Sequence, residues 1–418
     1  MSIASFARLF AVLLAGISFM STEAAAQPKN ETILPPAKAS PLPGPIDLID
    51  IEYRCEKSGH DICHLSDFMR RGRVCALIVV RPGVGTFEAY DRTNEFCNEE
   101  NAPPNGPAKL YGLASVTKSI TSIVLGQALA MRGARDRAKL EIELRKSVGD
   151  FIPEIRSGML AGYANVPIDR LLRMRSGIWW SEYGWHGLFS GAALFAKLVR
   201  VDMQENVIAF ARRFGLRFNS AKFNYSALDA AVAAAVAERL AGEPLTHFFQ
   251  ARLWEAIGAE RRATWGVDAT GLAIGPCCFK ASARDLARLG LFVLAKGRDA
   301  QGQVIVSEAW FDMSAQPAFR LPEIGRPFQN NGCPLDYGYL WWLRPGRKDF
   351  TAVGRDGQFL HVFPDSGAVI VQISDWHAWT NGDVLECETF RAHDALVSAI
   401  AKSRRDLRQG KAEEHREF

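Results

Sequence analysis

The chain has 418 residues, enough for one large domain or two interlocked ones with a substantial core. Hydrophobic residues make up 48% and charged residues 23%, which excludes wholesale disorder. Fifty basic against 46 acidic residues leave a net charge of only +4, so the charge balance does not call for nucleic acid as a partner.

In chain order, the N-terminus reads first as an export signal over residues 1–26. Arg8 gives the positive start, Leu9 to Met20 the apolar stretch, and Ala24-Ala25-Ala26 a small-residue cleavage site. No cysteine lies near that site to carry a lipid, so no membrane anchor is expected after its removal; the expected location is the periplasm or outside the cell. Residues 27–50 are rich in proline and read as a linker. Eight cysteines (Cys55, Cys63, Cys75, Cys97, Cys277, Cys278, Cys333 and Cys387) suit an oxidising compartment. Cys55 and Cys63 are expected to close a small disulfide loop rather than hold a metal. The adjacent Cys277 and Cys278 are expected to be poor partners for each other.

From Arg73 the text becomes strand-like: RVCALIVV, the turn RPGVG, then TFEAY. A second hairpin, QFLHVF and AVIVQIS around Pro364-Asp365-Ser366-Gly367, lies far along the chain. The two are expected to share one antiparallel sheet, with a helix over Thr389–Ser403 packed on one face. Between them apolar residues recur at helical spacing in 119–133, 168–174, 206–214, 226–242, 246–258 and 282–297. Gly242 and Gly258 stand as C-terminal stops and Ser282 as an N-cap. The predicted division is an α/β part from 51–130 and 271–403, an inserted α-helical part at 131–270, and a charged tail at 404–418.

The chemistry centres on Ser115-Val116-Thr117-Lys118. These residues open an apolar helix, so Ser115 and Lys118 fall about one turn apart on one face. A serine hydroxyl becomes a useful nucleophile when a neighbouring base takes its proton, and a desolvated lysine can do so. The helix start also offers free backbone N–H groups to a developing oxyanion. A lone Ser-x-x-Lys arises by chance about once in a chain of this length, so its context decides.

That context is LYGLASVTKSITSIVLGQAL, followed in order by LLRMRSGIWWSEYG, FNYSALDAAVAAAVAERLAG, SARDLARLGLFVLAKG, and YGYLWW with GRDGQFLHVFPDSGAVIV. Together these resemble the serine β-lactamase and penicillin-binding-protein superfamily. The resemblance is closest to its class C-type branch, with class C-like esterases and 6-aminohexanoate-dimer hydrolases. It implies an α/β part plus an all-α region, an antiparallel sheet flanked by helices, and an active site in the cleft between the parts. It assigns Ser115 as nucleophile, Lys118 as base and Tyr225 as proton shuttle, with the backbone N–H groups of Ser115 and Gln358 as the oxyanion hole. Arg355, Gly357, Trp180 and Tyr183 are its candidate substrate contacts. No metal or cofactor is implied, and the expected partner is a small ester or amide.

Two positions depart from the family pattern. Ala227 stands two residues after the tyrosine where many relatives carry Asn, and Arg355-Asp356 replaces a Lys-Thr or His-Gly pair. Both changes weigh against penicillins more than against hydrolysis. The expected function is a serine hydrolase working through an acyl-enzyme. A β-lactamase or D-Ala-D-Ala-type peptidase, and a catalytically silent binding protein of the same fold, are the alternatives. Glu182 reads as a solvated loop carboxylate, and His361 has no partner spacing that singles it out.

Overall fold

The computed structural model describes residues 28–47, 50–55, 61–93, 97, 104–157, 161–182, 190–218, 222–317, 333–376 and 382–414. The expected signal segment 1–26 and the candidate residue Tyr183 lie outside them.

The early and late hairpins do meet in one sheet. Strands β4 (Val74–Arg81) and β5 (Gly85–Tyr90) form the first, β12 (Gln358–Phe363) and β13 (Ala368–Ser374) the second, and β4 pairs antiparallel with β13. With β9 (Asp336–Tyr337), β10 (Trp342–Leu343) and β11 (Phe350–Gly354) they complete a seven-stranded antiparallel sheet, ordered β5-β4-β13-β12-β11-β10-β9.

The continuous apolar run of β4 has a direct cause. Ala76, Ile78 and Val80 face one core while Leu77 and Val79 face another, so both sides of the pleat are buried. The helix Ala283–Leu294 packs on the first face and approaches closely, because a side chain at Gly290 would strike Val369. Ser282 caps this helix by accepting from Asp285 N, as its position predicts.

On the second face lies the helix Gly382–Glu414, with Ala392, Leu396, Val397 and Ile400 against Leu77, Val79 and Ile370. It runs on through Glu414, past the expected start of a charged tail at residue 404. His361 of β12 also faces it, with Nδ1 3.2 Å from His393 Nδ1 and Nε2 3.4 Å from Asp349. Burial lowers the His361 pKa to about 4, so the pair is neutral at physiological pH.

A second sheet is four-stranded, β1-β7-β8-β6, from Asn30–Ile33, Ala263–Gly266, Phe279–Ala281 and Tyr111–Gly112. Its first strand corrects the reading of 27–50 as a plain linker: Asn30 to Ile33 pair with Gly266 to Ala263. The sheet also ties strand β7, expected in the inserted part, to β6 and β8 of the α/β part.

The inserted region is helical, with the alanine-rich helix Ala227–Ala241 at its centre, buried along nearly its whole length. Gly242 ends it in the left-handed conformation at φ 75°. The expected disulfide Cys55–Cys63 is present, joining the paired strands β2 (Tyr53–Cys55) and β3 (Asp61–Cys63), as are Cys75–Cys97 and Cys333–Cys387. Cys277 and Cys278 correct the expectation, for they are joined to each other. Cys278 takes a left-handed backbone, φ 77°, which turns the neighbouring side chains together.

Candidate active site

Ser115 sits at the start of the helix Val116–Met131, on a turn fixed from two sides. Strand β6 leads into it and is pinned to β8, with Leu113 N donating to Phe279 O at 2.9 Å. From the other sheet, Gly354 at the end of β11 packs so tightly that a Cβ there would lie 2.6 Å from Leu113 O. Between these constraints Ala114 is held at φ 45°, a strained conformation for a residue with a side chain, directly before Ser115.

Lys118 lies one turn along the helix and is 2% exposed. Its Nζ is 2.9 Å from Ser115 Oγ and 3.3 Å from the carbonyl oxygen of Pro276. The ammonium also sits 4.6 Å from the centroid of the Tyr225 ring. Burial pushes the Lys118 pKa down to about 8, opposed by the negative charge of Glu182.

Tyr225 is buried just before the helix Ala227–Ala241. Its ring stacks on Trp342, centroids 5.4 Å apart, and meets Tyr337 edge-on. Asn224 fixes this segment, its Nδ2 donating to Trp180 O and its backbone N to Met174 O. Ser115, Lys118 and Tyr225 are thus brought together, one helix of the α/β part meeting one segment of the inserted part.

Gln358 opens β12 opposite Gly354, the glycine that packs on the Ser115 turn. Its side-chain Nε2 donates to Ser374 O at 2.7 Å and to Asp356 O at 3.2 Å. The remaining candidates behave differently. Arg355 has an 83% exposed side chain, 3.6 Å from Asp356, on the tip of the β11–β12 turn. Gly357 has φ 86°, and a Cβ on it would strike the Trp376 ring at 2.5 Å, so its side-chain direction is filled by protein. Trp180 is 8% exposed and belongs to the core, whereas its neighbour Trp179 is 56% exposed. The indole Nε1 of Trp180 donates to Glu182 at 2.6 Å.

Sequence reasoning missed two partners. Trp342, one of several aromatics without a distinguishing signal, is the one stacked on Tyr225. Glu182 is half-buried and held by Trp180 and by Ala227 N, not a free loop carboxylate. Its nearness to Lys118 crosses 64 residues of chain, so no local pattern announces it.

The chain is 27% identical over 307 residues to a 6-aminohexanoate-dimer hydrolase of Paenarthrobacter ureafaciens, a match spanning 69% of this chain and 74% of that protein. A solved Bacillus anthracis structure designated a 6-aminohexanoate-dimer hydrolase shares the fold with a TM-score of 0.68 at 20% identity, covering 90% of each chain. EstCE1, a hydrolase with promiscuous acyltransferase activity, superposes with a TM-score of 0.56 at 15% identity over 80% of this chain and 96% of its own. The Beta-lactamase family model matches residues 68–385, well over half the chain, and the protein belongs to that family.

Proposed function

We propose that the protein is a serine hydrolase that cleaves an ester or amide through an acyl-enzyme on Ser115. The observation that carries this reading is the contact between Lys118 Nζ and Ser115 Oγ, 2.9 Å apart, with the lysine desolvated. A lysine with a pKa of about 8 is partly neutral near physiological pH and able to accept the serine proton.

In this mechanism Ser115 Oγ bonds to the substrate carbonyl carbon while its proton passes to Lys118 Nζ. The carbonyl oxygen takes the negative charge, and the backbone N–H groups of Ser115 and Gln358 are the donors assigned to it. Collapse of the intermediate breaks the bond to the leaving amine or alkoxide, which receives its proton by way of Tyr225. Water then attacks the acyl-serine, and the same groups return the proton to Ser115. The aromatic surroundings of Tyr225 favour an apolar acyl or amide chain. The hydrolase relatives, one of them acting on a 6-aminohexanoate dimer, support the amidase and esterase readings over a silent binding protein.

Export to the periplasm or beyond belongs to the same proposal. Four disulfides among the described residues favour an oxidising compartment, and none of the described helices is long and apolar enough to cross a membrane.

The test is turnover of short acyl esters, 6-aminohexanoate oligomers and a chromogenic cephalosporin, together with labelling by a fluorophosphonate. Ser115→Ala is expected to lose about 10⁴-fold or more in kcat/KM with the fold intact, and to lose the label. Turnover retained by a clean Ser115→Ala preparation, or label on another serine, would sink the proposal.

A further inference from the structure

The residues Gly275 to Phe279 contact the chain on both sides of Ser115. Gly275 is wedged between two helices: its carbonyl oxygen accepts from Thr121 Oγ1 at 2.9 Å, and a Cβ on it would lie 2.5 Å from Ala230 O. Pro276 O accepts from Lys118 Nζ at 3.3 Å. Phe279 opens strand β8; its N donates to Thr117 Oγ1 at 3.4 Å, and its O accepts from Leu113 N at 2.9 Å. Thr117 passes this hold on, since its hydroxyl donates to the carbonyl oxygen of Ala114, the residue at φ 45° before Ser115.

Both ends of the segment are anchored, Gly275 between the helices and Phe279 among the rings of Phe249, Trp254 and Trp265. What lies between sets the direction of the Pro276 carbonyl. Proline fixes its own φ, so the freedom that remains is ψ of Pro276 and the torsions of Cys277 and Cys278. The Cys277–Cys278 bond closes a small ring around the peptide joining the two residues, and that ring holds ψ of Cys277 and φ of Cys278. The φ of Cys278 is 77°, where a residue with a side chain stays only when its surroundings keep it there. The backbone is tied as well, Cys277 N donating to Ile274 O at 3.3 Å and Gly266 N to Cys278 O at 2.9 Å. Both cysteines are half-buried rather than sealed in the core.

The carbonyl held in this way bears on the chemistry. A base must turn its lone pair toward the proton it takes. A neutral Lys118 amine that donates one N–H to Pro276 O has its lone pair free for the Ser115 hydroxyl, 2.9 Å away. We infer that the Cys277–Cys278 disulfide is a positioning element of the reaction: it aims the Pro276 carbonyl at Lys118, and a dithiol that reduces it draws Lys118 away from Ser115 and slows acylation reversibly. This rests on the reading of Lys118 as the base. In the redox step the S–S bond breaks, and two electrons and two protons pass from the dithiol to Cys277 and Cys278. These become thiols while the dithiol becomes a disulfide. Cys278 is then free to leave the left-handed region, and the Pro276–Cys277 peptide loses its fixed direction.

The test compares wild type, Cys277→Ser/Cys278→Ser and Cys277→Ser/Cys278→Gly, each before dithiothreitol, after it, and after reoxidation with oxidised glutathione. Mass spectrometry of alkylated peptides reports which disulfides are open. Opening the 277–278 bond in wild type is expected to lower kcat/KM for a short acyl ester by about tenfold, and the rate of fluorophosphonate labelling at Ser115 by as much. Both should recover on reoxidation. The double-serine variant should start at the lowered rates and not respond to dithiothreitol, which separates this bond from the other three disulfides. Glycine at 278 accepts a φ of 77° without a disulfide, so the second variant should regain part of the loss, again without responding. A role confined to packing would lower the melting temperature and leave the labelling rate per folded molecule in place. Wild-type labelling and turnover unchanged with the bond open, or an equal slowing by dithiothreitol in the serine and glycine variants, would overturn the inference. A wild type without serine-dependent turnover or label would instead overturn the reading of Lys118 as base. The ¹³Cε signal of Lys118, assigned through Lys118→Arg, then decides the inference, by shifting on reduction of the bond or by staying in place. Should the double-serine variant not fold, the glycine variant and the wild-type redox cycle decide by the same readouts.

Discussion

Two buried cations in this protein have opposite surroundings. Arg288, 5% exposed on the helix Ala283–Leu294, donates to Asp285 at 3.0 Å, to Glu260 at 3.1 Å and to Ser40 O at 2.8 Å. Its charge is met by two carboxylates, and Asp285 is in turn held by the N–H groups of Glu260 and Arg261 and by the hydroxyl of Ser282. Lys118 is buried as deeply, yet its partners are a hydroxyl, a carbonyl and a ring face. A fully compensated cation fixes structure, whereas an under-compensated one pays with its proton affinity. The difference separates a strut from a candidate base without reference to any motif.

Replacing each cation by methionine is the sharpest way to break that comparison. Lys118→Met is expected to lose about 10⁴-fold in kcat/KM while the folded state is kept or stabilised, because a desolvated ammonium is removed. The pH dependence carries a definite sign. Lys118 has a folded pKa of about 8 against an ordinary value of 10.5. The unfolded chain therefore holds the extra proton across that window, and stability rises as pH climbs from about 8 to 10.5. Unfolding melts at pH 7 and pH 10 should show that gain in wild type and its loss in Lys118→Met. A variant that melts lower at both values, with its pH dependence intact, would make Lys118 a strut after all.

Arg288→Met should do the reverse. It takes the cation away from a fully buried Asp285, while Glu260 keeps Arg284, at a cost of about 3 kcal/mol in denaturant unfolding. Activity per folded molecule should stay near wild type, since the pair lies outside the Ser115 cluster. A loss of turnover without a loss of stability would break the distinction between the two cations.

How much of this was readable in the sequence depends on the range of the interaction. The spacing of Ser115 and Lys118 is a property of one helical turn, and the N-cap at Ser282 and the stop at Gly242 are local in the same way. The sharing of a sheet by β4 and β13 was also readable, because both runs are apolar on both faces. What escaped depends on distant chain. Strand β1 looks like part of a proline-rich lead-in until β7, more than 200 residues on, supplies its partner. Among the tryptophans, composition does not tell Trp180, which orients Glu182, from Trp342, which stacks on Tyr225. The Cys277–Cys278 bond depends on a left-handed residue that is not a glycine, where propensity points elsewhere.

Arg355 is a third kind of cation, exposed and loosely paired, and it gives the smallest of the expected effects. Its side chain is 83% exposed and 3.6 Å from Asp356, itself partly exposed. If it anchors a substrate carboxylate, Asp356 competes for it, and removing that competitor should favour anionic substrates alone. The substitution must respect the backbone: Asp356 sits at φ 68°, where a β-branched replacement is strained and asparagine is tolerated. Asp356→Asn should therefore raise kcat/KM for a carboxylate-bearing cephalosporin or acyl chain by about threefold, a modest gain because solvent and salt screen so exposed a pair. A neutral ester of the same acyl group should be unaffected, and the gain should shrink as ionic strength rises. Steady-state comparison of the two substrates at low and high salt reads all three expectations. An equal change on both substrates would mean that the turn moves the proposed oxyanion donor at Gln358 rather than freeing Arg355. Efficient cephalosporin turnover by the wild type, with no ester activity, would show that Arg355 needs no such release and would turn the substrate preference toward β-lactams.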